Sequence, residues 1–174
     1  YFGTDGIRGP YQGSFLTENF AHSLGKALGF HLQSHGKSGQ KVLLGRDTRP
    51  SGESLLNAFS HGLRTQGFNP LDAGILPTPA LSSCVIHDGL CMGAMVTASH
   101  NPSQDNGFKF FSEKGEKLSP NEEKLIESKI DLSENFETSE VTLPRHDSLE
   151  EYVARISGFF PDAFLRGYRV VADL

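Results

Sequence analysis

Apolar positions recur along this chain at two spacings. Phe20, Leu24, Leu28 and Leu32 fall four apart on one stripe, which predicts a core-facing helix over residues 16–33 opened by Thr17 as N-cap. Leu55, Leu56, Phe59 and Leu63 predict a second helix from Ser51 to the stop at Gly67. Between them, Lys41-Val42-Leu43-Leu44-Gly45 is short and apolar enough to be a buried strand. Leu71 to Ile75 reads as a second strand, Thr78 to His87 as a helix, and Met92 to Thr97 as a third strand. Asn106-Gly107 is a strong turn pair, so Phe108 to Phe111 is expected to return antiparallel beside the third strand. Ser119-Pro120-Asn121-Glu122 has the form of a capping box, opening a helix to about Ile130. From Asp131 to His146 the chain is acidic and aperiodic, as in a surface connection, and Asp147 is expected to cap a last helix carrying Leu149, Tyr152, Val153 and Ile156.

Alternation of strand and helix predicts an α/β fold: three layers, α/β/α, around a mixed, mostly parallel four-stranded sheet. The length, 174 residues, suits one domain with some extra material. Residues 1–146 form that unit; residues 147–174 add a helix and, from Tyr168 to Leu174, what reads as a strand getting under way, so the chain is expected to be a piece of something larger.

Charge narrows the partners. The net charge is −5, and the basic residues are scattered rather than gathered into a stripe, which speaks against nucleic acid and for a small-molecule ligand. No apolar run is long enough to cross a bilayer, and Tyr1-Phe2-Gly3 lacks the basic and apolar regions of a signal peptide, so no membrane partner and a cytoplasmic location are expected. Cys84 and Cys91 lack ligand-spaced partners and read as buried thiols; the six histidines outside the Ser99 region lack metal spacing too. His35-Gly36-Lys37-Ser38 imitates the end of a phosphate loop, but His31 stands where its first glycine belongs and a strand follows rather than precedes it.

The stretch Val96 to Phe111, VTASHNPSQDNGFKFF, carries the chemistry. Ser99 sits just past the carboxyl end of a buried strand, where open α/β sheets place ligands. Its hydroxyl can be a nucleophile, a phosphate carrier or a partner for loose turn amides. A serine hydrolase would need an oriented base and a Gly-flanked elbow, and neither is visible. A phosphoserine fits better, because its charge of about −1.5 to −2 calls for cations, which Lys109 and Arg8 can supply. Arg8 lies in Phe2-Gly3-Thr4-Asp5-Gly6-Ile7-Arg8-Gly9, a small-residue loop open to ligand approach or simply a tight turn with a solvated Arg. In Gly45-Arg46-Asp47-Thr48-Arg49-Pro50-Ser51-Gly52, Asp47 reads as structural, while Arg46 and Arg49 stay open between ligand and ion-pair roles.

Together FGTDGIRG, GRDTRPSG, GILPTPAL, TASHNP and DNGFKFFSEKGEKL resemble, in order and spacing, the α-D-phosphohexomutase superfamily, and within it the phosphoglucosamine mutase branch; the resemblance runs through residues 2–130. It implies a first domain of four, with Ser99 phosphorylated and exchanging its phosphate with a sugar through a bisphosphorylated intermediate. Glucosamine 6-phosphate and glucosamine 1-phosphate would be interconverted; a phosphoglucomutase or phosphomannomutase preference is the alternative. It further implies Mg2+ on the phosphate of Ser99, completed by aspartates of another domain, and a phosphorylated hexose or hexosamine and the remaining domains of the chain as partners. Ser99, His100, Lys109 and Arg8 would be catalytic, with Lys109 and His100 both open as the proton carrier; Asn101, Thr97, Arg46 and Arg49 would contact substrate or support the loop. The isolated piece is expected to bind phosphosugar weakly without turning it over.

Overall fold

The four expected strands form one side of a larger sheet, which two further strands extend at the other edge. The computed structural model describes residues 1–137 and 142–172. In chain order it contains β1 (Phe2–Gly3), β2 (Gly6–Pro10), α1 (Glu18–Ser34), β3 (Lys41–Arg46), α2 (Gly52–Thr65), β4 (Asn69–Ile75), α3 (Thr78–His87), β5 (Met92–Val96), β6 (Asp105–Ser112), α4 (Pro120–Glu127) and α5 (Ser148–Ser157). The sheet has six strands in the order β1-β2-β6-β5-β3-β4. β3 runs parallel to β4 and β5, whereas β6 is antiparallel to both β5 and β2, and β1 is antiparallel to β2. β2, β3, β4 and β5 thus share one direction, and the sheet is mixed as expected, with two parallel and three antiparallel pairings.

Strand alternation sorts the side chains onto two faces. Val42 and Leu44 of β3, Ala94 and Val96 of β5, and Phe108 and Phe110 of β6 pack with α1, α2 and Ile126 of α4. Leu43, Met95 and Phe111 point the other way, against Leu81, Cys84 and Val85 of α3. The predicted stripe Phe20, Leu24, Leu28 and Leu32 is buried throughout. Thr17 Oγ1 accepts from Phe20 N, and Ser119 and Glu122 close the capping box in both directions. Among the described residues no helix is long and apolar enough to cross a membrane.

Several expectations change. FGTDGIRG is a hairpin of β1 and β2 rather than a free loop, because β6 offers it an edge: Ile7 pairs with Phe108 and is fully buried. Asn106-Gly107 lies inside β6 and makes no turn. A Cβ on Gly107 would stand 1.9 Å from Ile7 O, so its glycine serves close strand approach. The side chain of Asn106 donates to Ser51 Oγ at 2.8 Å and accepts from Gly107 N at 2.9 Å. Ser51 and Asp147 precede their helices without a side-chain capping bond, and α4 stops at Glu127 rather than near Ile130. Only Tyr152 of the α5 stripe packs on the core; Leu149, Val153 and Ile156 remain exposed. Tyr168 to Ala172 have no regular structure, since a strand needs a pairing edge, and Asp173 and Leu174 lie outside the described residues.

Helices α1 and α2 touch backbone to backbone. A Cβ on Gly25 would meet Phe59 O at 2.2 Å, and one on Gly62 would meet His22 O at 2.1 Å. Replacing a helical glycine by alanine ordinarily stabilises by about 0.5–1 kcal/mol. Gly62→Ala is expected to do the opposite, lowering the unfolding free energy by about 2 kcal/mol through forced separation of the helices, read as a lower urea midpoint.

Candidate active site

β5 is buried along its whole length and delivers the chain to the rim of the sheet, where Thr97 and Ala98 are still buried but Ser99 and His100 are exposed. Ser99 has φ +60°. A non-glycine residue in that left-handed region costs about 1–2 kcal/mol, so neighbouring bonds must hold it there.

Those bonds form a connected set. Thr97 Oγ1 accepts from Ser99 N at 3.0 Å and donates to Asp47 Oδ2 at 2.7 Å. Asp47 also accepts from Arg49 N and from Arg49 Nε, each at 3.0 Å. So oriented, the Arg49 guanidinium donates to four loop carbonyls: Nη2 to Ser99 O at 2.9 Å and Asn101 O at 2.8 Å, Nη1 to Pro102 O at 2.5 Å and Asp105 O at 2.9 Å. Asn101 Nδ2 adds a bond to Asp105 Oδ2 at 2.9 Å. Carbonyls in a tight polar loop would otherwise rely on water; here one planar fork satisfies them. Asp47 is thus bonded to Arg49 and Thr97, and Arg49 makes four contacts with the loop. Arg46 is not brought to the loop; its guanidinium meets Glu53 Oε2 at 3.4 Å beside Asn57 and Leu56.

The backbone of Ser99 is therefore fixed while its hydroxyl is free. Among the described residues, Oγ has one polar neighbour, His100 Nδ1 at 3.5 Å. That is too long for a serine activated by an oriented imidazole.

Lys109 and Arg8 share one sheet face. Lys109 pairs with Met95, and Arg8 pairs with Gly107, whose carbonyl accepts from Thr97 N at 3.0 Å. Both cations are turned on Asp5, whose Oδ2 accepts from Lys109 Nζ at 2.6 Å and Arg8 Nη2 at 2.7 Å, while Lys117 Nζ meets Oδ1. The Lys109 hydrogen bond, with help from Lys117 and against some burial, lowers the Asp5 carboxyl to about 2. Asp5 and Lys117 were missed in the sequence. Asp5 lies in the quoted FGTDGIRG, but nothing local says which cations it meets; Lys117 arrives because it bridges to Phe111 across the turn after β6.

A second cluster, Cys84, Asp88 and Glu151, brings three ligand-type atoms within 4.8 Å. A cation is already there: Arg155 Nη2 donates to Cys84 Sγ at 3.0 Å and Nη1 lies 3.8 Å from Glu151. Cys84 and Cys91 are the buried thiols expected; burial raises the Cys84 thiol above its ordinary range and pushes Cys91 up to about 11.

Two outcomes follow from this geometry. Arg49→Lys keeps the charge and loses the fork, so amides of Asn101 and Asp105 should exchange hydrogen at least about tenfold faster while global stability falls by about 2 kcal/mol. Asp5 has a folded pKa below its ordinary 3.8, so the stability it adds is complete above that value and is lost as pH falls through about 2. The stability gap between wild type and Asp5→Asn, measured by denaturant unfolding, should be constant near neutral pH and close on approach to pH 2.

A family model described as phosphoglucomutase/phosphomannomutase, alpha/beta/alpha domain I, matches residues 1–137. The phosphoglucosamine mutase of Lactococcus lactis subsp. lactis (strain IL1403) is 39% identical over 186 residues, covering 99% of this chain and 39% of that protein. The phosphoglucosamine mutase of Haemophilus ducreyi is 39% identical over 177 residues with the same coverage. A solved structure from Thermus thermophilus superposes with a TM-score of 0.81 at 33% identity, over 92% of this chain and 36% of that one. A phosphoglucomutase/phosphomannomutase family protein from Burkholderia thailandensis gives a TM-score of 0.75 at 31% identity, over 90% and 35%. The chain spans about two fifths of the length of the curated relatives it matches. A rim serine on a clamped loop, on a sheet shared with these structures and in a chain matched by that model over most of its length, places this protein in the phosphoglucomutase/phosphomannomutase family, as its α/β/α domain I.

Proposed function

We propose that this chain is the serine-bearing domain of a mutase that interconverts glucosamine 6-phosphate and glucosamine 1-phosphate, with Ser99 carrying the phosphate in transit. The observation that supports it is the combination at Ser99: a backbone held left-handed by its neighbours, a hydroxyl exposed at the carboxyl-end rim, and no oriented base among the described residues. That arrangement suits a phosphate carrier better than a nucleophile activated at every turnover. In the transfer, the bond from Ser99 Oγ to phosphorus breaks as a sugar hydroxyl oxygen bonds to phosphorus, and the hydroxyl proton passes to a side chain. The sugar, now bisphosphorylated, turns over and returns its other phosphate: the bond from that sugar oxygen to phosphorus breaks as Ser99 Oγ bonds to phosphorus, and the proton held on the side chain passes to the freed sugar oxygen. Such transfer depends mainly on position and on neutralising charge spread over the equatorial oxygens. Arg8 and Lys109 are the cations we assign to that neutralisation. Lys109 or His100 takes the proton, both being within the segment that carries the serine. Thr97, Asn101 and Arg49 hold the loop, through the bonds described above.

A divalent cation, Mg2+ in the superfamily, would neutralise phosphoryl oxygens when bound. The residues around Ser99 do not by themselves fit one: Asp47 is engaged by Arg49 and Thr97, and Asp105 by Asn101, which leaves only a phosphate on Ser99 as ligand. The remaining ligands belong to other parts of a longer protein, and no step above runs through the metal. Residues 1–146 serve as the domain proper and 147–174 as the connection onward, consistent with the exposed apolar stripe of α5. By itself the 174-residue chain would bind phosphosugar without turning it over.

The full-length protein should carry one phosphate by intact mass, absent from Ser99→Ala, and the substitution should lower kcat/KM for the glucosamine phosphates by at least ~1000-fold. Unaltered turnover in Ser99→Ala would end the proposal, and faster turnover of glucose or mannose phosphates by the wild type would reassign the sugar.

A further inference from the structure

Asp5 holds three cations, and among the described residues none of them is hydrogen-bonded to Ser99 Oγ. By register Ile7 is level with Phe108 and, across β6, with Val96 at the carboxyl end of β5, so Asp5, two residues before Ile7, lies just below the level of the rim that carries Ser99. Arg8 is level with Gly107 and Thr97 on the sheet, yet its guanidinium is bonded to Asp5. Lys109, one strand from Met95, does the same. The two groups best placed by register to meet a phosphate at the rim are both occupied by a carboxylate of the same chain.

We propose that Asp5 is an internal counter-ion that competes with phosphate at the Ser99 rim for Arg8 and Lys109, and that Lys117 remains on Asp5 when those two leave. Three cations against one carboxylate leave two positive charges, which matches a phosphate charge of about −1.5 to −2. Exchange strands no buried charge, because Lys117 has a side chain 64% exposed and can neutralise Asp5 in water. Arg8 and Lys109 are by contrast 23% and 15% exposed, so leaving them without any anion would cost more than it does for Lys117, and Asp5 answers that need whenever phosphate is absent. The low Asp5 pKa agrees, since it keeps the carboxylate charged throughout the physiological range. Asp5 is on this account a positioning residue: it touches neither sugar nor phosphate and acts through the two cations. The identity of the phosphate rests on the function proposed above; the competition itself does not.

The test uses the full-length protein, dephosphorylated, with inorganic phosphate as probe. Protection of Lys109 from an amine-reactive reagent, read by peptide mass spectrometry, reports phosphate at this site and ignores any bound elsewhere. Asp5→Asn should lower the half-protecting phosphate concentration about threefold, and Lys117→Ala should raise it about threefold by leaving Asp5 to the other two cations. A mere through-space charge effect predicts the same signs, so the double variant decides. Under competition Lys117→Ala changes nothing once Asp5 is Asn, because there is no carboxylate left to compete. An equal Lys117→Ala effect in both backgrounds, or an Asp5→Asn protein that binds phosphate no tighter, overturns the inference. Failure here leaves the mutase reading standing, whereas that reading falls separately on the intact mass and turnover of Ser99→Ala.

Discussion

The fork of Arg49 in the serine loop is the contact on which the site depends. Asp47 orients the guanidinium from behind, and its two terminal nitrogens reach the carbonyls of Ser99, Asn101, Pro102 and Asp105. A loop at the rim of a sheet has no ladder to satisfy its backbone, and water-bonded carbonyls would leave it mobile. One partly buried, charge-assisted donor replaces that water and imposes a single conformation, including the left-handed backbone at Ser99. The hydroxyl is the part of the loop that Arg49 leaves alone. Rigidity of the backbone and freedom of Oγ are thus two consequences of the same arrangement.

The sheet beneath supplies the level at which the parts meet. Gly107 lets β2 approach β6 so closely that Arg8 comes beside the strand carrying Lys109, while Ile7 on the alternate face is drawn into the core with Phe108. Asn106 ties β6 to Ser51 at the start of α2, just after the segment of Asp47 and Arg49. The N-terminal hairpin, the segment after β3 and the serine loop are far apart in the chain and meet only here. Backbone contact between α1 and α2, through Gly25 and Gly62, keeps the opposite layer thin enough for Phe59 to reach Phe108 and Phe110 under the same strands.

Electrostatics on the open face follows from uneven coverage. α3 packs chiefly on β3 and β5, and Arg8 and Lys109 lie farther along the same face, on β2 and β6. Charges there are neither deeply buried nor fully solvated, so they pair with one another, and Asp5 becomes their shared anion. Such partly buried pairs orient their side chains, and the exchange proposed above would release two of the three cations to an arriving phosphate.

How much of this was legible without coordinates depends on how local each cause is. Helical stripes such as Phe20 to Leu32, the cap at Thr17 and the capping box at Ser119 rest on residues within a turn or two of each other, and the sequence alone determined them. The apolar run of β5 ending in Thr97-Ala98-Ser99 likewise placed the serine at a rim. Other features depend on partners distant in the chain: the β1–β2 hairpin needed the edge of β6, Gly107 reads as a turn until Ile7 is seen against it, and Arg46 differs from Arg49 only through what each meets. Asp5 and Lys117 lie near opposite ends of the folded unit's sequence, and no spacing rule connects them. Short-range hydrogen bonding and hydrophobic period belong to the sequence; long-range charge pairing and close backbone approach exist only once the sheet has brought their members together, so tertiary structure decided them.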